Sequence, residues 1–324
     1  MVINMDELVF SVIVTAYNQP ECIKKAVESV LNQTVKCFEV IVVDDCSTDS
    51  TPKVLKALSE NHPEMKVIRH QKNGSSHATR CTGVESASGQ YVIFLDGDDY
   101  LFPNALEHLL NDVVNGNEAF DVCEYSYVCQ PTGEVVKPSE WDESKPRIDY
   151  YLSHDAIVTV WNKLYKTEIL KKAFKNMIPA YIRCGDDTYE TICIAYFTNK
   201  FIQRDIKITN YQLDTGVSMR KNTFESNLCH CASLKTSFKC LIDFFDNNDY
   251  EQKTLLKNVV EERFFNWIHS VMENNTKIDD IPHSLILLPR YFSDRLVEEE
   301  FYKLYSSKLR KKRIKCAIKS ILHK

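Results

Sequence analysis

No apolar run in this 324-residue chain reaches the ~20 residues needed to cross a bilayer, so a membrane span is not expected. Basic residues do not dominate either. The chain has 40 Lys and Arg against 45 Asp and Glu, and a net charge of −5 argues against nucleic acid as a partner of the whole chain. Glycine is scarce, at 8 residues, and no Gly-rich loop bearing Lys and Arg follows the first strand-like segment, which disfavours a nucleotidyltransferase built on a triphosphate loop. Cysteine is plentiful, but a disulfide framework is not indicated. The twelve cysteines are scattered through apolar segments with no basic n-region and apolar h-region ahead of them, so reduced, mostly buried thiols in a cytosolic protein are expected. Cys229-His230-Cys231 has no second ligand pair at finger-like spacing, so zinc is not expected there.

The first half of the chain alternates two periodicities. Phe10 to Val14 is a short β-branched run, and Pro20-Glu21 then opens a helical pattern with Cys22, Ile23, Ala26, Val27, Val30 and Leu31 on one face. Phe38 to Val43 repeats the strand, and Val54, Leu55 and Leu58 the helix. Met65 to Ile68 predicts a third strand, residues 76–87 a third helix and Tyr91 to Leu95 a fourth strand. Strands separated by helices imply right-handed crossovers and a largely parallel sheet covered on both faces.

The polar groups then fall on one rim. Thr15-Ala16-Tyr17-Asn18, Asp44-Asp45 and Asp96-Gly97-Asp98-Asp99 each follow the carboxyl end of an expected strand, the edge where open α/β sheets bind ligands. Any one of these loops could be a solvated, cap-rich turn; three together read as a site. Asp96, Asp98 and Asp99 concentrate negative charge that a cation or hydrogen-bond donors must offset.

These segments, with Ser29 to Thr34 and Glu39 to Asp49, resemble in order and spacing the signature of family 2 inverting glycosyltransferases with the GT-A fold. The resemblance implies an α/β architecture with a Rossmann-like, mostly parallel sheet flanked by helices. Residues 1–221 would form the transferase domain, with a nucleotide-sugar half over 1–100 and an acceptor half over 101–221. It also implies that Asp98 binds Mn²⁺ or Mg²⁺, that Asp96 reaches the ribose or uracil side of the donor, and that Asp99 shapes the sugar pocket. Gly97, Thr15, Tyr17 and Asn18 would belong to the donor-binding loops, with Tyr17 offering a stacking face, and Asp45 would accept a hydrogen bond from the base.

The stretch Asn73 to Gly83 keeps the family's Arg80 and Gly83 but departs from it at Ser75, Thr79 and Cys81, leaving Arg80 as a partner for the acidic cluster or the base. Trp161-Asn162-Lys163-Leu164-Tyr165 resembles a segment that lines the pocket between donor and acceptor; a core tryptophan is the competing account. Gly185-Asp186-Asp187 stands where the family carries paired acids ahead of a helix. Asp187 is the expected base, with Asp186 the alternative because the register is open by one residue. In Tyr211 to Ser218, Gln212 replaces an Arg and Asp214 replaces a His that holds metal or diphosphate in some members. Either Asp214 is an oxygen ligand, or Arg220 and Lys221 bind phosphate.

Beyond the fourth strand, Leu106, Leu109 and Leu110 mark a helix, Asp121 to Val128 a strand, and residues 130–156 a loop or short hairpin over the site. From residue 222 to 324 the patterning turns helical. Residues 303–324 hold nine Lys or Arg and no acid, with Leu309, Ile314, Ile318, Ile321 and Leu322 on one face, the pattern of a basic anchor for an anionic membrane surface.

The expected activity is therefore metal-dependent, inverting transfer of one sugar from a nucleotide diphosphate sugar, of UDP type, to a hydroxyl of a glycan or lipid-linked acceptor. The site of action would be the inner face of the plasma membrane, in cell-surface polysaccharide synthesis. The alternative is an inactive module that binds nucleotide sugar or glycan. No Gln-x-x-Arg-Trp signature of processive synthases is present, which favours single transfers.

Overall fold

The computed structural model describes residues 8–116, 119–140, 147–152, 158–213 and 224–248. Nine strands and eight helices follow one another among them. The first half runs β1 (Phe10–Ala16), α1 (Pro20–Leu31), β2 (Phe38–Asp44), α2 (Thr51–Ser59), β3 (Met65–Arg69), α3 (Ser75–Ser86) and β4 (Tyr91–Asp96). The second half runs β5 (Tyr100–Leu101), α4 (Ala105–Asn115), β6 (Val122–Gln130), β7 (Glu134–Val136), α5 (Arg147–Leu152), β8 (Lys163–Lys166), α6 (Thr167–Asn176), α7 (Asp186–Phe197), β9 (Phe201–Gln212) and α8 (Phe224–Asn247).

One sheet of order β3-β2-β1-β4-β8-β6-β9-β5 joins the two halves, with β7 paired to β6. Strands β1 to β4 pair in parallel, as their alternation with helices requires. Past β4 the sheet is mixed: β8 runs antiparallel to both β4 and β6, β5 antiparallel to β9, and β6 parallel to β9. In β1 the run Phe10 to Val14 is wholly buried, which is why it reads as continuous apolar sequence rather than an alternation. Helix α1 covers one face with Ile23, Ala26, Val27, Val30 and Leu31, and Pro20 takes the first-turn position where its missing N–H is harmless.

Register, more than composition, gathers the polar loops. Thr15 pairs with Asp96 across β1 and β4, and Ala16 pairs with Asp44 across β1 and β2, so three strands end at one level. One hydrophobic core joins β4, β8 and helices α6 and α7 to α8, whose Leu234, Leu241, Phe244 and Phe245 are buried. Helix α8 thus shares a core with residues on the other side of the 221/222 boundary expected from composition. Residues 130–140 form the end of β6 and its hairpin with β7; 141–146 and 153–157 lie outside the described residues, as do Asp214, Arg220, Lys221 and 249–324, and the side chains of Cys229, His230 and Cys231.

Candidate active site

At the carboxyl edge of β4, Gly97 leaves the strand through a space that no side chain could occupy. A β-carbon there would lie 2.0 Å from Gln19 Nε2 and 2.4 Å from the Thr15 carbonyl oxygen. Asp96 is held in place by Thr15 Oγ1, which donates to its Oδ1 at 3.2 Å. Asp99 turns inward, 1% exposed, and accepts the Gln212 backbone N–H at 2.8 Å. Burial, then repulsion from Asp96 and Asp98, pushes its carboxyl up to about 9, and no described group bonds its Oδ2. A buried carboxylate oxygen with no donor beside two further acids is a place where added positive charge is favourable.

Among the described residues, Arg80 supplies the one guanidinium in this cluster. Its side chain is 3% exposed, and its Nη1 lies 2.9 Å from Asp186 Oδ2, 3.0 Å from Asp187 Oδ1 and 3.1 Å from Glu190 Oε2. Its Nη2 reaches Asp96 Oδ1 at 3.3 Å. One cation thus faces four carboxylates from β4 and α7. Ser76 Oγ also donates to Asp186, which leaves that carboxylate tied down on two sides. Asp187 differs: its side chain is 30% exposed, and no described donor hydrogen-bonds its buried Oδ1 in addition to the Arg80 ion pair. Burial of that oxygen pushes the Asp187 carboxyl up, Arg80 pulls it down, and the charges of Asp186, Asp96 and Glu190 add to the rise. A carboxyl raised in this way is better matched to proton abstraction near neutral pH.

The pair stands at the start of α7 because Gly185 adopts a left-handed φ of 78° just ahead of it. Both acids then occupy the first helical turn, where the helix dipole favours negative charge. Glu190 follows Asp186 by four residues and so lies on the same face.

The nucleobase side is built by loops that hold one another. Asn18, in the left-handed region at φ 50°, accepts the Thr48 N–H on its Oδ1 at 2.8 Å and donates its own N–H to Ser47 Oγ at 3.0 Å. Asp45 ties the β2 loop to the start of α3. Its Oδ1 accepts the Gly74 N–H at 2.7 Å and its Oδ2 the Ser75 N–H at 2.9 Å, with His70 Nδ1 also 2.9 Å from Oδ1. Both oxygens therefore hold the start of α3 in place, and a base would have to share them. Tyr17 lies half-buried just past the end of β1.

Trp161 is 3% exposed, stacked on Tyr211 with ring centroids 4.9 Å apart at 6° and packed edge-on to Tyr127 at 4.6 Å. Its ring contacts in this cluster are thus with Tyr211 and Tyr127. Ser76, His77 and Glu190 went unrecognised in the sequence, although the four-residue spacings Asp186/Glu190 and His77/Cys81 mark shared helix faces.

Asp98 is half-buried at the rim beside Asp99. Among the described residues no three His, Cys, Asp or Glu side chains form a cage for an ion. One or two hard carboxylates completed by substrate phosphate oxygens and water is the usual arrangement for Mg²⁺ or Mn²⁺, and Asp98 fits it.

The chain can now be set beside known proteins. The profile described as Glycosyl transferase family 2 matches residues 11–176. Among curated proteins, it is 26% identical over 263 residues to the uncharacterized glycosyltransferase MJ1057 of Methanocaldococcus jannaschii, covering 80% of this chain and 89% of that one. It is 28% identical over 185 residues to the poly(ribitol-phosphate) beta-glucosyltransferase of Bacillus spizizenii, covering 56% of this chain and 28% of that one. The chain spans 31% to 49% of the length of other curated relatives it matches. Among solved structures, S. aureus TarS 1-349 in complex with UDP-GlcNAc superposes with a TM-score of 0.65 at 22% identity, over 87% of this chain and 80% of that one. The mannosyltransferase PcManGT of Pyrobaculum calidifontis, in complex with GDP-Man and Mn²⁺, does so at 0.51 and 17%, over 94% and 80%. These superpositions show the GT-A fold, and the matched profile carries the conclusion: the chain belongs to glycosyl transferase family 2.

Proposed function

We propose that this protein is an inverting glycosyltransferase that moves one sugar from a UDP-sugar to a hydroxyl of a glycan or lipid-linked acceptor. The observation that carries the reading is the Arg80 cluster, which brings the strand-end acid Asp96 and the helix-start acids Asp186 and Asp187 to one guanidinium. Asp187, the less encumbered of the two helix-start acids, takes the proton of the acceptor hydroxyl. The resulting oxygen attacks the anomeric carbon as the nucleoside diphosphate departs on the opposite face. In this reading Asp96 reaches the nucleoside and Asp99 shapes the sugar pocket. Asp98 would hold a divalent cation, and either Asp214 as a further oxygen ligand or Arg220 and Lys221 on the phosphate would complete that side; the cation would supply charge stabilisation to the departing diphosphate. UDP as the nucleotide and a surface polymer as the acceptor are supported by the relatives' own names, UDP-GlcNAc bound to TarS and poly(ribitol-phosphate) as the glucosyltransferase's substrate.

The test has two parts. Calorimetry with UDP should show binding that strengthens with Mn²⁺ and weakens on chelation. A panel of nucleotide sugars with Mn²⁺ should release UDP from one donor. Binding without turnover of any donor would instead indicate an inactive nucleotide-sugar module.

A further inference from the structure

A guanidinium Nη carries two hydrogens, yet three carboxylates of α7 lie within 3.1 Å of Arg80 Nη1. Its hydrogen bonds go to Asp186 Oδ2 at 2.9 Å and Glu190 Oε2 at 3.1 Å. Asp187 Oδ1, at 3.0 Å, feels the charge of Arg80 but accepts no hydrogen bond among the described residues. Glu190 thus takes a donor that Asp187 lacks.

Each competitor is also held by a second group. Asp186 accepts from Ser76 Oγ, and Glu190 Oε1 accepts from His77 Nδ1 at 2.7 Å. The Glu190 and His77 side chains are 0% and 3% exposed, so neither is open to substrate, and both oxygens of Glu190 are engaged. Burial alone would push the His77 imidazole down, but its bonds to Cys81 and Glu190 raise it to about 10, which puts a second cation behind Glu190 at neutral pH. A buried carboxylate between two cations of α3 is stable only while both stay in place.

We propose that Glu190 and His77 are positioning residues for the transfer reaction, a buried relay that governs how Arg80 divides its hydrogen bonds between Asp187 and its neighbours. The inference rests on the reading of Asp187 as the base. The relay has a sign. With Glu190 neutral, Arg80 turns an N–H to Asp187, because a carboxylate accepts from guanidinium more strongly than an amide does, and the base weakens. With His77 neutral, Glu190 draws harder on Arg80, and Asp187 holds its proton to higher pH.

The charged groups facing Asp187 are Arg80 from α3, Asp96 from β4, Asp99 beyond it, and Asp186 and Glu190 on α7 itself. Tyr165 on β8, Tyr211 on β9 and Cys184 ahead of α7 face it too; burial pushes all three up, so they stay neutral. The His77–Glu190 pair faces Arg80, Cys81, Cys193, Tyr165 and the Tyr189 and Phe174 rings, with Cys240 of α8 behind Tyr189 and Cys193.

The full chain, labelled with carbon-13 at its aspartate carboxyls and followed by NMR from about pH 3 to 11, tests the relay without turnover. The Asp187 signal is the one missing from Asp187→Asn. Its midpoint should fall by about one pH unit in Glu190→Gln and rise by about half a unit in His77→Gln. A purely structural role would move both the same way or not at all, and either result overturns the proposal. Where a single variant fails to fold, as read by thermal melts, the double variant His77→Gln/Glu190→Gln, which leaves no lone buried ion, decides. Its midpoint should fall by about one unit as in Glu190→Gln, since the effect of His77 runs through Glu190; an unmoved midpoint overturns the relay. UDP release by Asp187→Asn tests the base separately. Retained turnover with opposite midpoint shifts overturns the base assignment and leaves the relay standing; lost turnover with unmoved midpoints does the reverse.

Discussion

Asp186 and Asp187 are neighbours in sequence with different surroundings. Asp186 accepts from Ser76 and Arg80, whereas Asp187 keeps 30% of its side chain exposed and shares only the Arg80 charge. Asp187→Asn should therefore lower kcat by about 10²–10⁴-fold while the Kd for UDP moves little, as read by UDP release and calorimetry. Wild-type-like turnover would remove Asp187 from the mechanism. His77 makes the complementary prediction for stability. Its folded-state pKa is raised from 6.5 to about 10, so the stability it contributes is fully present below 6.5 and is lost as pH rises toward about 10. The groups facing it are Glu190, Cys81 and the rings of Tyr189 and Phe174. Thermal melts from pH 7 to 10 should fall for the unaltered protein and fall less steeply for His77→Gln.

At the scale of elements, the decisive joint is the turn into α7. Gly185 holds φ 78°, and a β-carbon there would also meet Leu234 Cδ2 at 2.8 Å, so two independent obstacles oppose a side chain. Gly185→Ala should cost about 1–2 kcal/mol of stability from backbone strain and shift the helix start that carries both acids. A lowered melting temperature together with a lower kcat would show that positioning depends on this turn; unchanged values of both would show that the helix start adapts. Strands β1 to β4 were legible because each is a buried apolar run followed by a helical period. Strand β8 was not, since four residues are too few to show an alternation and its Lys163 is buried against Glu124 at 2.9 Å. Strand β9 was hidden by Arg204, Asp205 and Lys207, charges carried on a long strand that pairs with only two-residue β5 on its far side.

For the whole molecule, charge is distributed unevenly. Residues 303–324 hold nine Lys or Arg and no acid, so the rest of the chain carries 31 Lys or Arg against 45 Asp or Glu. No described helix is long and apolar enough to cross a membrane. Residues 303–324 lie outside the described residues, and an anchoring role for them is a proposal from sequence. Deleting residues 306–324 should abolish cosedimentation with anionic liposomes at low salt, and should leave UDP binding unchanged. Unaltered cosedimentation would refute the anchor.

What could be read without coordinates was whatever repeats locally: the strand–helix alternation, the polar strand ends and the Asp-Gly-Asp-Asp junction. Their physical cause lies in a few consecutive residues, and parallel strands place their carboxyl ends on one rim. Folding settled which groups share charge. Arg80 on α3 meets Asp186 on α7 across 106 residues of sequence, Asp45 turns to the start of α3, and Trp161 packs behind Tyr211. No local period encodes those contacts. They follow from packing two helices against one sheet, which leaves four carboxylates around a single buried guanidinium.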